Sequence, residues 1–284
     1  MTKFLSELIT DDTPILKLDE NIGITREDKL RIIDIEARLA DLYIRYLYLN
    51  NGQWYYFKED CETGIYPFSI IDELMGSYLA RLRDLPTVLY QVSQVGDNFG
   101  LASVNFKDNN YKYFTLKDVV NILDSKNLDG QNLLFLRNCT IDSENEQNFL
   151  RHLFDLFSLD IHMLQMDRGF LNLQFQINKE NNYFDIAPIY DYSNCRLCVK
   201  SEGIDVPNQI HRLNETGIAV LLEQYPTFKE RLEYCLDCDM VKIWDQICLD
   251  YHFNQESSAY DRVKDYYEVK EVKQKQYIKF LLNK

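Results

Sequence analysis

The chain has 284 residues, 46% hydrophobic and 27% charged, a balance that supports one large or two modest packed domains and excludes a disordered or fibrous chain. Its formal net charge of −14 works against sequence-independent binding to DNA or RNA, because no sustained basic stretch offsets it. No apolar run is long enough to span a bilayer. The first residues are short and acidic for a secretion signal, and the seven cysteines lack one too, so a reducing cytoplasm is the expected location.

Residues 1–30 are polar and mixed, with a turn at Asp11–Pro14, and read as an extended arm or a short helix. Leu30–Ile35 can form a strand, and Leu42–Leu49 is strongly β-forming. Asn50, Asn51 and Gly52 then signal a tight hairpin, since Asn-Gly tolerates the positive φ of a type I′ turn. Gln53–Lys58 is the return strand. Ser69 or Asp72 can cap a helix that runs to about Arg83, with Glu73 early in it. Thr87–Val95 and Leu101–Phe106 read as strands joined by a turn at Gly96–Gly100. Thr115 to Asp118 resembles a capping box that opens a helix to about Leu123. A long apolar helix starts near Asp142 and ends near Leu164. His152 and His162 lie on or near it without metal-like spacing, which favours structural roles.

The most informative stretch follows. Asp167 and Asn172 stand in a D-x-x-x-x-N spacing, then a strand from Leu173 to Ile177, a polar turn over Asn178–Asn182, a return strand from Tyr183 to Ile186, and Asp191. A hairpin between them lets the two acidic loops meet at one end of a small sheet. Phosphoryl transfer needs such a set: one carboxylate to accept the proton of the attacking hydroxyl, an amide oxygen and a second carboxylate to hold Mg²⁺. Asp and Asn are also ordinary turn and cap residues, so the spacing alone is weak; the ordered set is more specific.

Asp167, Arg168 and Asn172, followed by Ile186–Asp191 (I-A-P-I-Y-D), resemble the catalytic segment of HipA-like protein kinases. Ile71–Thr87 resembles the family's E-x-x-x-x-x-L-A-x-x-L-G-x-P-T helix, with Arg83 and Asp84 in place of Leu-Gly. Gly100–Phe106 resembles its G-x-x-S-x-N-F strand, and Gly169 stands where relatives carry His. The resemblance runs from about Leu42 to Ser193. It implies an α+β, bilobal protein-kinase-like fold, with a small β-rich N-lobe at 1–106 and a larger, mostly helical C-lobe at 107–284. It implies ATP and Mg²⁺ as cofactors and a Ser/Thr hydroxyl of a protein as acceptor, in some relatives within a toxin paired with an antitoxin-type partner. On that map Asp167 is the catalytic base and Asn172 and Asp191 are metal ligands. Lys58 holds phosphates, positioned by Glu73, and Ser103, Val104 and Asn105 form the hinge beside adenine. Glu36–Asp41 takes the place of the phosphate-covering loop but contains no glycine, leaving Arg38 to act by its side chain; alternatively Leu30–Asp41 is helical and the loop is absent or lies elsewhere. Lys58 as an exposed strand-end lysine and Glu73 as a first-turn dipole residue are the plainer alternatives. A kinase fold that binds nucleotide or a partner without efficient transfer is the second reading of the whole chain, and a small-molecule acceptor is a third.

Beyond Asn194, Ile218–Tyr225, Phe228–Cys238 and Met240–His252 look helical, and Ala259–Leu282 reads as a charged, surface or partner-facing final helix. Cys195/Cys198 and Cys235/Cys238 form two C-x-x-C pairs. They are spaced more widely than a usual zinc ribbon, and packing of Cys235 and Cys238 on an apolar helix face is the favoured reading over structural zinc.

Overall fold

The structure, a computed structural model, describes residues 4–18, 45–60, 68–115, 143–165, 173–181, 183–192 and 215–283. The expected strand at Leu30–Ile35, the helix after Thr115, the segment Glu36–Asp41 with Arg38, the pair Cys195/Cys198, and both Asp167 and Asn172 lie outside the described residues.

A five-stranded sheet holds β1 (Leu16–Leu18), β2 (Arg45–Asn50), β3 (Gln53–Glu59), β4 (Tyr90–Val95) and β5 (Asn98–Val104), in the order β1-β4-β5-β3-β2. β1 runs parallel to β4, and the other pairings are antiparallel. The β2–β3 turn forms as expected, with φ of 49° at Asn51 and 79° at Gly52. β4 starts later than the sequence suggests: Pro86–Val88 instead lies beside Ile189, with Thr87 in an isolated parallel bridge to it. Gly100 sits on β5 opposite Glu59, where the strand pairs with β3. A Cβ there would fall 2.2 Å from the carbonyl oxygen of Lys58, so only glycine lets the strands approach this closely.

A second sheet joins β6 (Tyr111–Thr115), β7 (Gln174–Asn178) and β8 (Phe184–Ile186), all antiparallel. The β7–β8 hairpin is the one expected from its polar turn. The Asn178 side chain accepts from the amide of Glu180, which supplies the local hydrogen bond a tight turn needs.

Seven helices lie among the described residues: α1 (Phe4–Leu8), α2 (Ser69–Arg81), α3 (Ser143–Met163), α4 (Glu215–Gln224), α5 (Pro226–Asp237), α6 (Met240–Asp250) and α7 (Ser258–Leu282). No helix among them is long and apolar enough to cross a membrane. Pro226 begins α5, where its missing N–H costs no helical bond. Asp239 caps α6 by accepting from the amide of Lys242. The start of α2 differs from the expectation. Phe68 is its N-cap, without a side-chain cap bond, and both Ser69 and Asp72 are buried inside the helix.

One hydrophobic core runs from α1 and one face of the large sheet (Val92, Leu101) through α2 and α3 into α5, α6 and α7. The opposite face of the sheet carries a small satellite of Leu18, Phe57, Val95 and Ala102. The final helix is not only a surface element. Ala259, Val263, Tyr267, Tyr277, Ile278 and Leu281 face this core, while Val269 and Val272 point outward. Residues at the chain start close against it: Arg262 pairs with Glu7 at 3.0 Å, and the amide of Asn254 donates to the carbonyl of Leu8.

Candidate active site

Lys58 projects from β3, the antiparallel neighbour of β2 and β5, and is buried. Its Nζ donates to Oε1 of Glu73 at 2.6 Å, and Glu73 is only 1% exposed. This arrangement rules out the reading of Lys58 as an exposed strand-end lysine. It also gives Glu73 a specific partner, a role compatible with any favourable contact to the helix dipole. A cation and a carboxylate this deeply buried persist only as a pair with their remaining hydrogen-bond sites satisfied.

The other Glu73 oxygen makes the more informative contacts. Oε2 accepts from the Tyr90 hydroxyl at 2.8 Å and from the backbone amide of Tyr192 at 2.9 Å. Tyr192 directly follows Asp191, so one carboxylate grips Lys58 with one oxygen and the Asp191–Tyr192 peptide with the other. That places the strand lysine and Asp191 in one site.

Asp191 is half-buried and its φ is 64°, a left-handed conformation that Asp tolerates better than most residues. Two bonds hold the backbone there. The Tyr192 amide is bound to Glu73, and the Asp191 carbonyl accepts from Nε2 of Gln165 at 2.7 Å. Gln165 lies just past the end of α3 and two residues before Asp167. The chain entering the D-x-x-x-x-N segment is thereby pinned to Asp191.

Further bonds fix the 186–192 segment. The amide of Val88 donates to the Ile189 carbonyl, the amide of Ile189 donates to the Pro86 carbonyl, and the Thr87 hydroxyl donates to the Ile189 carbonyl. The hydroxyls of Thr87 and Tyr192 lie 3.1 Å apart. The Tyr192 ring packs against α2 at Gly76, where an added Cβ would fall 2.2 Å from its Cγ. Gly76, Tyr90, Gln165 and Tyr192 were not singled out from the sequence. Only Thr87, as the end of the P-T motif, carried a local signal.

Of the expected hinge residues, Ser103 is buried in β5, with Tyr56 and Tyr90 on either side. Val104 is 40% exposed. The amide of Asn105 donates to the Trp54 carbonyl at 2.8 Å, and its side-chain oxygen accepts from the amide of Lys107. A main-chain contact from Asn105 to a ligand would therefore use its carbonyl.

Both histidines are built into the structure. His152 Nδ1 lies 2.8 Å from Oδ1 of Asp185 on β8, fastening α3 to the hairpin. His162 Nδ1 accepts from Nη2 of Arg83 at 2.8 Å, because a guanidinium has only donors. Burial first, then the charges of Arg83, Lys270 and Lys275, hold His162 well below its ordinary value of 6.5, so it is neutral with the proton on Nε2. Cys235 and Cys238 are buried free thiols, with Cys235 Sγ 3.4 Å from Nη2 of Arg83. Burial pushes both thiols up, which suits packing rather than reactivity.

No family model matches the chain, and no curated protein matches it. Among solved structures it is similar to the Helicobacter pylori proinflammatory kinase CtkA, with 14% identity over 66% of this chain and a TM-score of 0.43; the match spans 63% of that kinase's length. It is also similar to HipA in the Shewanella oneidensis MR-1 toxin–antitoxin complex of HipA, HipB and operator DNA. Identity there is 9%, with 97% of this chain and 75% of that chain covered and a TM-score of 0.61. The likeness to HipA extends over nearly the whole chain, and at this identity it shows the fold alone: the chain shares a HipA-like fold.

Proposed function

We propose that the protein is an ATP- and Mg²⁺-dependent kinase that transfers a phosphoryl group to a Ser/Thr hydroxyl of a protein. The observation that carries this reading is Glu73, whose two oxygens join buried Lys58 to the peptide after Asp191. A kinase site needs a fixed cation for phosphate and a carboxylate for metal in register with it. The residue set fits the cofactors: Lys58 is the phosphate cation, and half-buried Asp191, with Asn172, would hold Mg²⁺. ATP with Mg²⁺ would supply the γ-phosphoryl group. Asp167 would take the proton of the acceptor hydroxyl as the hydroxyl oxygen bonds to the γ-phosphorus and the bond from that phosphorus to the bridging oxygen breaks, with ADP leaving. Arg38 and the backbone at Ser103–Asn105 complete the nucleotide site, between an N-lobe of 1–106 and a C-lobe of 107–284. The fold shared with HipA, seen with HipB in a toxin–antitoxin complex, supports a toxin-type kinase with an antitoxin-type or regulatory partner.

A second reading has its own observation. Glu36–Asp41 lacks glycine, so its backbone is poorly suited to cover phosphates. On that reading the chain holds nucleotide or a partner without efficient transfer.

The test is transfer of labelled γ-phosphate from ATP with Mg²⁺, comparing the unaltered chain with Asp167→Ala. Label on protein that depends on Asp167 is the expected result. Mg²⁺-dependent ATP binding by calorimetry without label favours the binding reading. Neither label nor binding overturns both.

A further inference from the structure

Asp72 is the neighbour of Glu73 on α2, and it too is a buried carboxylate, 2% exposed. Its partners come from the other end of the chain. Lys270 on α7, fully buried, donates from Nζ to Oδ1 at 2.8 Å. The Tyr266 hydroxyl donates to Oδ2 at 2.9 Å. The Tyr267 hydroxyl lies 3.2 Å from Oδ1 and 3.3 Å from the carbonyl oxygen of Ile71. The Lys270 ammonium also sits 5.0 Å from the Tyr266 ring centroid and 5.6 Å from that of Tyr267. At the start of α2, Phe68 stacks on Tyr266, with centroids 4.1 Å apart and planes at 10°.

Successive residues on a helix point roughly 100° apart. Asp72 and Glu73 therefore face two directions, and each has its own buried lysine, Lys270 on α7 and Lys58 on β3. Rotating or sliding α2 would strip a partner from at least one buried charge. Such a loss is far costlier than exchanging one apolar contact for another. Apolar packing could hold α2 in the core; two keyed charges also fix its rotation.

We propose that Asp72 is a positioning residue for the nucleotide lysine, its link to Lys270, Tyr266 and Tyr267 setting the rotation of α2 that delivers Glu73 to Lys58. The assignment of Lys58 to phosphate rests on the kinase reading; the coupling between the two ion pairs does not. The last helix thereby holds the site in its engaged arrangement from outside it.

The test uses the full chain with Asp72→Asn and Lys270→Met combined, which removes both charges and leaves neither lysine nor carboxylate stranded. Acetic anhydride labelling of Lys58, read by mass spectrometry without nucleotide, is expected to rise about tenfold, within the range of ordinary site-to-site coupling. ATP affinity by calorimetry is expected to weaken by a similar factor. Tyr267→Phe, which keeps the ring, gives a smaller rise and serves if the double variant does not fold. Leu281→Ala loosens α7 elsewhere in the core and leaves Lys58 labelling unchanged. Unchanged labelling in both the double variant and Tyr267→Phe, or an equal rise in Leu281→Ala, overturns the proposal. A rise confined to the Asp72–Lys270 variants in a chain that binds no ATP upholds the coupling and removes the nucleotide reading instead.

Discussion

Glu73 shows how much one side chain can organise when its environment is dry. Its contacts to Lys58, Tyr90 and the Tyr192 amide come from three separate stretches of chain. The helical pattern and the family motif located this glutamate on its helix, and the partner lysine was legible from strand order. The tie to Tyr192 was not, since a backbone amide has no signature in a sequence. His162 is a residue whose burial makes a prediction. Its folded pKa lies well below the ordinary 6.5, so the unfolded chain takes up a proton near that pH and the folded chain does not. The unfolded state then binds more protons, and stability falls as pH drops through about 6.5. Urea midpoints measured between about pH 7.5 and 5.5 should decline with falling pH, and His162→Gln should flatten this decline. An unchanged slope in that variant would assign the effect to other groups.

At the element scale, α2 is the helix on which the site turns. It presents Glu73 to β3, Asp72 to α7 and Gly76 to the Tyr192 ring. Its apolar spacing reads as a helix, but its start departs from what residue type suggests. Ser69 and Asp72 look like caps by residue type, whereas the fold spends Asp72 on Lys270 and leaves Phe68 at the cap position. Gly76 also runs against local preference. Alanine there would favour an isolated helix by about 1 kcal/mol. In the fold its Cβ would overlap Tyr192, and overpacking of that kind costs about 1–3 kcal/mol. Gly76→Ala should therefore lower stability in urea denaturation and weaken ATP binding by displacing the Asp191–Tyr192 segment. A more stable variant with intact binding would show that the ring relocates freely. The final helix teaches the converse. Its charges spread along the sequence like a surface helix, yet Lys270 is wholly buried because a carboxylate from residue 72 meets it.

For the whole molecule, charge is the property that reaches furthest. A net −14 repels the phosphate backbone, and no sustained basic stretch in the sequence offsets it. The chain alone should show no saturable binding to duplex DNA by fluorescence anisotropy at about 0.15 M salt, where screening is already short-ranged. Binding that weakens steeply with added salt would reveal a basic surface not apparent in the sequence.

The sequence by itself determined the local elements. The Asn51–Gly52 hairpin, the β7–β8 hairpin, α3 and the C-terminal helices follow from turn chemistry and periodicity, which act over a few residues. The ordered Asp167, Asn172 and Asp191, with the strands and helix before them, also point to a HipA-like fold. Only the tertiary structure decided which buried charges meet. Lys58 finds Glu73 across 15 residues, Tyr192 finds it across 119, and Lys270 finds Asp72 across 198. Such pairings depend on how helices and sheets pack. The cost of leaving a charge unpaired in a dry core selects them, and residue spacing carries no record of that cost.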